Sequence, residues 1–335
     1  MANTASNKMQ LIYGDTSIGL KGDRFHYIFT YGNGPESIVI DGKEWLYRQL
    51  RPTFWRATTD NDKGNRLHFR SSVWYSADAF LPCRGVTCEV DGKEGVMKGP
   101  ENNVFDGSET AECVKLSYTY STLTVPKTDV DVTYEILATG KIIVTTHFHG
   151  NSELPELPVF GMRFVMPTKA VGFVYEGLSG ETYPDRMAGG VEGIYHVEGL
   201  PVTPHLVPQD CGVHMETSWV RIYRNRVQSN IGKTLKDYGT DKDLPINPFG
   251  IQISAHDRKF AFSCLPYTAQ ELENATHMEE LPPARRTVLC VLGAVRGVGG
   301  MDSWGADVEE AYKISAAKDI TFSFEISPVE GEDTF

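Results

Sequence analysis

The chain has 335 residues, of which 41% are hydrophobic, so it can bury a substantial core in one large domain or two smaller ones. Its net charge of −12 and its pI of about 5.3 argue against a surface that binds nucleic acid or an anionic membrane. No stretch approaches the roughly 20 apolar residues of a membrane-spanning helix, and residues 1–10 are polar, so we expect a cytoplasmic protein.

The first unusual segment runs from Arg51 to Gly64 and places two aromatic residues and two arginines before a polar Asp60-Asn61-Asp62 turn. An EF-hand calcium loop has glycine at position six and glutamate at position twelve. Counted from Asp60, this segment has its glycine at position five and Ser71 at position twelve, so we reject a calcium loop. The simplest alternative is an Asx-rich turn whose side chains cap backbone groups.

Period-two alternation of apolar and polar residues dominates the middle of the chain and predicts β-strands. It is clearest in residues 114–120, 130–136 and 142–148, and a Thr139-Gly140 turn between the last two predicts a hairpin. More strands are predicted at 171–175, 249–253, 288–292 and 320–326.

A turn at Tyr183-Pro-Asp-Arg186 follows the strand predicted at 171–175 and brings an acidic and a basic residue together. An Asp–Arg pair after a turn is typical of a structural salt bridge. A functional site is the alternative, and the salt bridge is the favoured interpretation of the two.

Helical signals are few. Thr268 and Glu271 have capping-box spacing and precede Leu272 and Ala275, so we expect one short helix over 269–275. Many short strands and one helix predict a large antiparallel β-sandwich.

The segment Gly297-Val-Gly-Gly-Met-Asp-Ser-Trp-Gly305 is rich in glycine but lacks the lysine and the following helix of a phosphate-binding loop. It presents an indole beside Asp302 and Ser303. An indole can cover the apolar C–H face of a sugar while a carboxylate accepts hydroxyl hydrogens. A buried core tryptophan is the structural alternative.

Histidine and cysteine give no further site. His147 and His149 share one strand face, but nothing nearby completes a metal site, and a hydrogen-bonded structural role is favoured. The cysteines are scattered, with no second close pair to complete a zinc pattern, so we expect reduced thiols and no metal. They are Cys83, Cys88, Cys113, Cys211, Cys264 and Cys290.

Five segments together closely resemble, in sequence and in order, the C-terminal domain of large family 2 β-galactosidases, which in some bacteria is a separate small subunit. They are residues 54–64, Tyr183-Pro-Asp-Arg186, Pro208-Gln-Asp210, the helix from Glu271 to His277, and the glycine-rich loop 297–305. The resemblance runs from about Tyr13 to Ile326.

This resemblance implies an all-β super-sandwich of the galactose-mutarotase-like type, with one domain over 1–335 and a core of about 13–326. It implies a small subunit of a two-chain β-galactosidase that acts on terminal β-galactosides such as lactose with retention. The catalytic glutamates and magnesium would belong to a large TIM-barrel partner. We therefore expect no catalytic residue and no cofactor in this chain, and no activity when it is alone.

The resemblance also assigns residues. Trp304 matches the tryptophan that this domain contributes to the galactosidase sugar site, and Asp302 and Ser303 match its loop. Six residues match the signature turn and imply an interface or a loop near the site: Phe54, Trp55, Arg56, Asp60, Asn61 and Asp62. The sequence departs from the family at Met301 and Leu292, where aspartate is common, and at Val295, where a polar residue is.

Two other classes of function stay open at this point. One is a freestanding aldose epimerase or carbohydrate-binding protein on the same fold. An epimerase needs its own acid–base pair, which the sequence does not reveal. The other is a purely structural interaction module, in which Trp304 would be dispensable.

Overall fold

The computed structural model describes residues 8–95, 107–228, 244–302, 305–329 and 335. Within these ranges the strands are β1 (Met9–Tyr13), β2 (Ser17–Lys21), β3 (Phe25–Thr30), β4 (Gly34–Ile40), β5 (Lys43–Glu44), β6 (Arg48–Thr53), β7 (Cys83–Val90), β8 (Lys93–Gly95), β9 (Thr110–Ala111), β10 (Cys113–Ser121), β11 (Asp129–Leu137), β12 (Ile142–Phe148), β13 (Val159–Met166), β14 (Ala170–Leu178), β15 (Glu192–Glu198), β16 (Val213–Thr217), β17 (Trp219–Val227), β18 (Leu244–Ala255), β19 (Phe260–Leu265), β20 (Thr287–Val295) and β21 (Ile320–Pro328). The α-helices of the same ranges are α1 (Asp60–Gly64), α2 (Leu67–Arg70), α3 (Val73–Ala79) and α4 (Ala269–Asn274).

The largest sheet has ten described strands, all antiparallel, in the order β15-β14-β17-β18-β21-β12-β11-β10-β7-β8. Its strands obey the alternation seen in the sequence: β11 buries every second residue, from Val130 to Ile136, and exposes the intervening polar ones in part. The predicted hairpin joins β11 to β12, and Gly140 in its turn has a φ of +88°, which a residue with a side chain rarely adopts.

The buried face of this sheet packs against two smaller sheets. A six-stranded sheet, in the order β5-β4-β3-β2-β1-β9, meets it where Phe29 lies 5.4 Å from Tyr134 between ring centroids. A five-stranded sheet, in the order β16-β19-β20-β13-β6, meets it where Phe160 contacts Phe322 at 6.0 Å. One large sheet facing two smaller ones is the predicted all-β super-sandwich.

The five-stranded sheet is buried on both faces. Every residue of β13 and of β19 is buried, because the inner face packs on the large sheet and the outer face is covered by a further layer of chain. Leu265 of this sheet packs with Ala57, Cys211 and Leu272, which come from three separate segments of that layer. The outer layer of the small sheet is therefore where distant parts of the chain meet.

The predicted helix is present where it was expected, but the expected number of helices, one, is wrong. The short helix α4 begins after Thr268, and the predicted capping box with Glu271 is present. However, the described residues also contain α1, α2 and α3, which the sequence analysis missed. The longest of these helices, α3, has seven residues, far short of the length needed to cross a membrane.

Candidate functional site

The candidate site is the outer layer of the five-stranded sheet. It begins where the chain leaves β6 and runs to α1. Thr59 is the N-cap of α1: its side chain accepts a hydrogen bond from the Asp62 amide, and the Asp62 carboxylate accepts one from the Thr59 amide at 3.1 Å. The segment is thus a short capped helix, and its polar side chains do cap backbone groups.

Asp62 is also the centre of a buried ionic cluster. Both of its oxygens accept from Nη2 of Arg56, at 3.0 and 3.1 Å, and Oδ1 lies 3.4 Å from Nη1 of Arg296. All three side chains are almost fully buried. Burial opposes the charge of Arg56, but the neighbouring carboxylates of Asp62 and Asp210 outweigh it and raise the pKa of Arg56.

Arg56 extends this cluster to the start of the glycine-rich loop. Its guanidinium donates to the carbonyl oxygens of Arg296, at 2.5 Å, and Gly297, at 2.8 Å. Arg296 in turn donates to Glu156 at 3.0 Å and to Asp307. The loop is therefore anchored at both ends to a buried cluster of charges.

Tyr183-Pro-Asp-Arg186 holds the same loop from another side. The Asp185 carboxylate accepts from the amides of Val298, at 3.0 Å, and Gly299, at 2.8 Å, and Arg186 donates to the Gly299 carbonyl. The favoured interpretation of this motif as a salt bridge is wrong, because both side chains bind loop backbone instead.

The segment Pro208-Gln-Asp210 contacts two of the other segments, through the side chains of Gln209 and Asp210. The Tyr183 hydroxyl donates to Asp210 at 2.9 Å, and Gln209 exchanges hydrogen bonds with Asp60. Burial raises the pKa of Asp210 to about 7, against the opposing effects of Arg56 and Tyr183.

The helix α4 closes the layer through Glu273. Its carboxylate accepts from the amide and the hydroxyl of Thr58, both at 2.6 Å, and from the indole of Trp55 at 3.3 Å. All five segments identified in the sequence therefore lie in one layer of the molecule.

The family model for the β-galactosidase small chain matches residues 21–326. The chain belongs to this family. A β-galactosidase small subunit from Latilactobacillus sakei is 57% identical over 98% of this chain and all of that protein. A β-galactosidase from Halalkalibacterium halodurans is 30% identical over 97% of this chain, which spans only 29% of that protein. Among solved structures, a galactose mutarotase related enzyme from Lactobacillus acidophilus is 9% identical, with a TM-score of 0.41 over 95% of this chain and 99% of that one.

The signature-turn residues divide into buried and accessible ones. Phe54 and Trp55 are buried and packed on Trp74, Phe160 and Tyr75, as core residues are. Arg56 and Asp62 are buried in the ionic cluster, and only Asp60 and Asn61 reach the surface.

Two glycines of the glycine-rich loop, Gly300 and Gly305, lie close to the turn and to the end of α1. A Cβ on Gly300 would lie 2.2 Å from the Asn61 side chain, and one on Gly305 would lie 2.9 Å from Cα of Gly64. Asp302 is exposed and accepts from the Ala306 amide at 3.0 Å, so it braces the loop. Ser303 and Trp304 lie outside the described residues.

His147 and His149 are held by hydrogen bonds, and the cysteines are unpaired. His149 contacts Asp131 and His147 contacts Thr321, both at 2.6 Å, so neighbouring strands supply the hydrogen-bond partners that a structural role requires. All six cysteines are free thiols.

Glu156 and Arg296 were not identified from the sequence, and Asp185 and Glu273 were identified only as parts of longer segments, without their roles in holding the loop and the turn. The one available signal was the position of Arg296, directly before the glycine-rich loop. Each carboxylate of the layer that we describe is engaged in holding another segment, so the arrangement is suited to rigid positioning of a loop.

Proposed function

We propose that this chain is the small subunit of a two-chain β-galactosidase and that its glycine-rich loop, 297–305, completes the sugar site of a large subunit. The observation that carries the proposal is the convergence of the five segments on that loop: Arg56, Asp185 and Arg186 all bind its backbone. Anchoring of residues 297–299 lowers the conformational entropy that the loop loses when it meets a ligand.

The proposed reaction is hydrolysis of terminal β-galactosides such as lactose, with retention. Retaining glycosidases use two carboxyl groups about 5 Å apart. We assign that pair, and magnesium, to a TIM-barrel partner, since the buried carboxylates described above serve to hold segments together. Trp304 would supply an apolar platform for the sugar, and Asp302 and Ser303 would shape its loop.

The similarity to the two relatives supports a division of the enzyme into a small subunit and a large catalytic subunit. The Latilactobacillus sakei small subunit has the same extent as this chain, whereas the chain matches under a third of the longer β-galactosidase. The free thiols are in keeping with a cytoplasmic location.

The test is to purify the chain alone and together with its co-expressed large subunit, and to assay both with a chromogenic β-galactoside. We expect turnover only for the complex. Robust turnover by the chain alone, surviving repeated purification, would contradict the proposal. An NMR mutarotation assay on the isolated chain tests the alternative aldose epimerase function, for which we expect no rate above that of buffer.

A further inference from the structure

A second concave site lies at the edge of the five-stranded sheet, away from the glycine-rich loop. It is a pocket of about 510 Å³ between β6, β13 and α4. Arginines 48, 51 and 163 line it, and the amide side chains of Gln270 and Asn274 line its opposite wall. This volume is within the usual range of small-molecule sites.

Three arginines and three carboxylates line the pocket, and in the part of the chain that the structure describes only one of these arginines, Arg163, has a carboxylate in contact. Arg51 of β6 lies directly opposite Arg163 of β13 in the strand pairing, and like charges in such a position destabilise a sheet. The Asp78 carboxylate lies 2.5 Å from Nη1 of Arg163 and also accepts hydrogen bonds from Thr53, Phe54, Trp55 and Gln270. Within the described ranges, Arg51 has no carboxylate in contact.

Arg48 adds a second guanidinium to the same pocket. Among the described residues, neither Arg48 nor Arg51 has a hydrogen bond or an ion pair to its side chain. The rim carboxylates keep their charge, but their hydrogen bonds are made within their own segments: Glu271 accepts from the Thr268 amide and Glu280 from the Thr276 amide, both at 2.7 Å. The pKa of Arg51 is lowered, mainly by burial and next by the neighbouring charge of Arg163. The chain as a whole is acidic, with a net charge of −12.

We propose that this pocket binds a small ligand bearing one carboxylate or phosphate group, held by Arg48 and Arg51. The planar guanidinium presents parallel N–H donors that match the oxygens of either group. A bound oxyanion also removes the repulsion between Arg51 and Arg163. The proposal concerns the chain alone and does not depend on assembly with a large subunit.

Calorimetric titration of the full-length chain at low salt tests the proposal. The probes are galacturonate and galactose 6-phosphate, each compared with galactose, which has the same ring and no charge. We expect at least one acid to bind ten-fold or more tightly than galactose, and to bind more weakly as salt is added. The two acids distinguish a carboxylate site from a phosphate site.

Variants then locate the site. Arg51→Gln should weaken binding of the acid ten-fold or more, and Arg48→Gln, which changes an exposed side chain, should weaken it in the same direction. The matched control is Arg84→Gln, which removes an exposed arginine on the large sheet and should leave binding unchanged. The ligand should raise the melting temperature of the wild type and not that of Arg51→Gln. The proposal is overturned if neither acid binds better than galactose, or if both pocket variants bind as the wild type does.

Discussion

The outer faces of the large and small sheets use polar residues in opposite ways. On the large sheet, partners are partly exposed cross-strand neighbours, such as Thr119 with Asp131 and Ser117 with Thr133. On the small sheet, Asp62, Arg56 and Arg296 are buried, and Arg56 and Arg296 are 240 residues apart. Surface pairs are worth little and can be exchanged, whereas a buried charge that loses its partner is costly. The difference indicates that the small-sheet layer holds one loop in one place.

Asp62→Ala should have the largest effect, because it leaves Arg56 and Arg296 without their shared carboxylate and removes one of the two hydrogen bonds of the α1 capping box. We expect a loss of about 3–5 kcal/mol in the free energy of unfolding, measured by urea denaturation. The matched control is Asp60→Ala, an exposed residue of the same helix, which should lose about 1 kcal/mol or less. A loss below 1 kcal/mol for Asp62→Ala would contradict the conclusion that buried charges of the small-sheet layer matter more for stability than surface pairs of the large sheet.

Asp210 should make the stability of the layer depend on pH. Its pKa is about 7 in the folded protein, above the usual value of 3.8, so folding favours the protonated carboxyl group. The stability from this preference is complete below about pH 4 and is lost as the pH rises through 7. Between about pH 5 and 8, the wild type should lose about 2–3 kcal/mol relative to Asp210→Asn.

Urea denaturation of both proteins across that range measures the difference. Asp60→Asn, an exposed substitution, is the control and should follow the wild type at every pH. A constant difference between Asp210→Asn and the wild type would mean that Asp210 does not titrate in this range.

Trp304→Ala tests whether the loop contributes to sugar binding. Loss of the indole should cost about 1–3 kcal/mol of binding, or roughly a 5- to 150-fold rise in KM for lactose in the assembled enzyme. Trp304→Phe should lose less, and Trp219→Ala, on the large sheet, should leave KM unchanged. Gel filtration confirms assembly of each complex. If Trp304→Ala assembles and keeps wild-type kcat/KM, Trp304 has no part in the sugar site.

Much of the large sheet could be predicted from the sequence, because its central strands, such as β10, β11 and β12, have one buried face. In β11 and β21 the alternation is visible in the residues themselves, and both strands lie where they were predicted. The strand β19 is buried on both faces and has no alternation, so the sequence analysis did not single it out. The helices α1 to α3 are too short to have a helical period.

The candidate site was predictable in its segments and not in its contacts. Spacing revealed the cap of α4, since Thr268 and Glu271 are three residues apart. It could not reveal that Arg296 lies beside Asp62, 234 residues earlier, because only the fold brings the two together. For the same reason Asp185 was interpreted through its sequence neighbour Arg186, although its partners are amides of the glycine-rich loop.

The smallest change in the free energy of unfolding is expected for Lys141→Met, which removes an ion pair of the large sheet. Lys141 lies 2.6 Å from Glu325, and both side chains are partly exposed. The loss of stability should be about 0–1 kcal/mol and should shrink further in about 1 M salt, which screens such pairs. Glu325 keeps a hydrogen-bond partner in the variant, since His256 Nδ1 lies 2.9 Å from its carboxylate, and the carboxylate is partly exposed to water. Urea denaturation at low and high salt measures the change, and the β-galactosidase activity of the assembled variant should equal that of the wild type. A loss above about 2 kcal/mol would place this pair with the buried cluster and remove the distinction between the two faces.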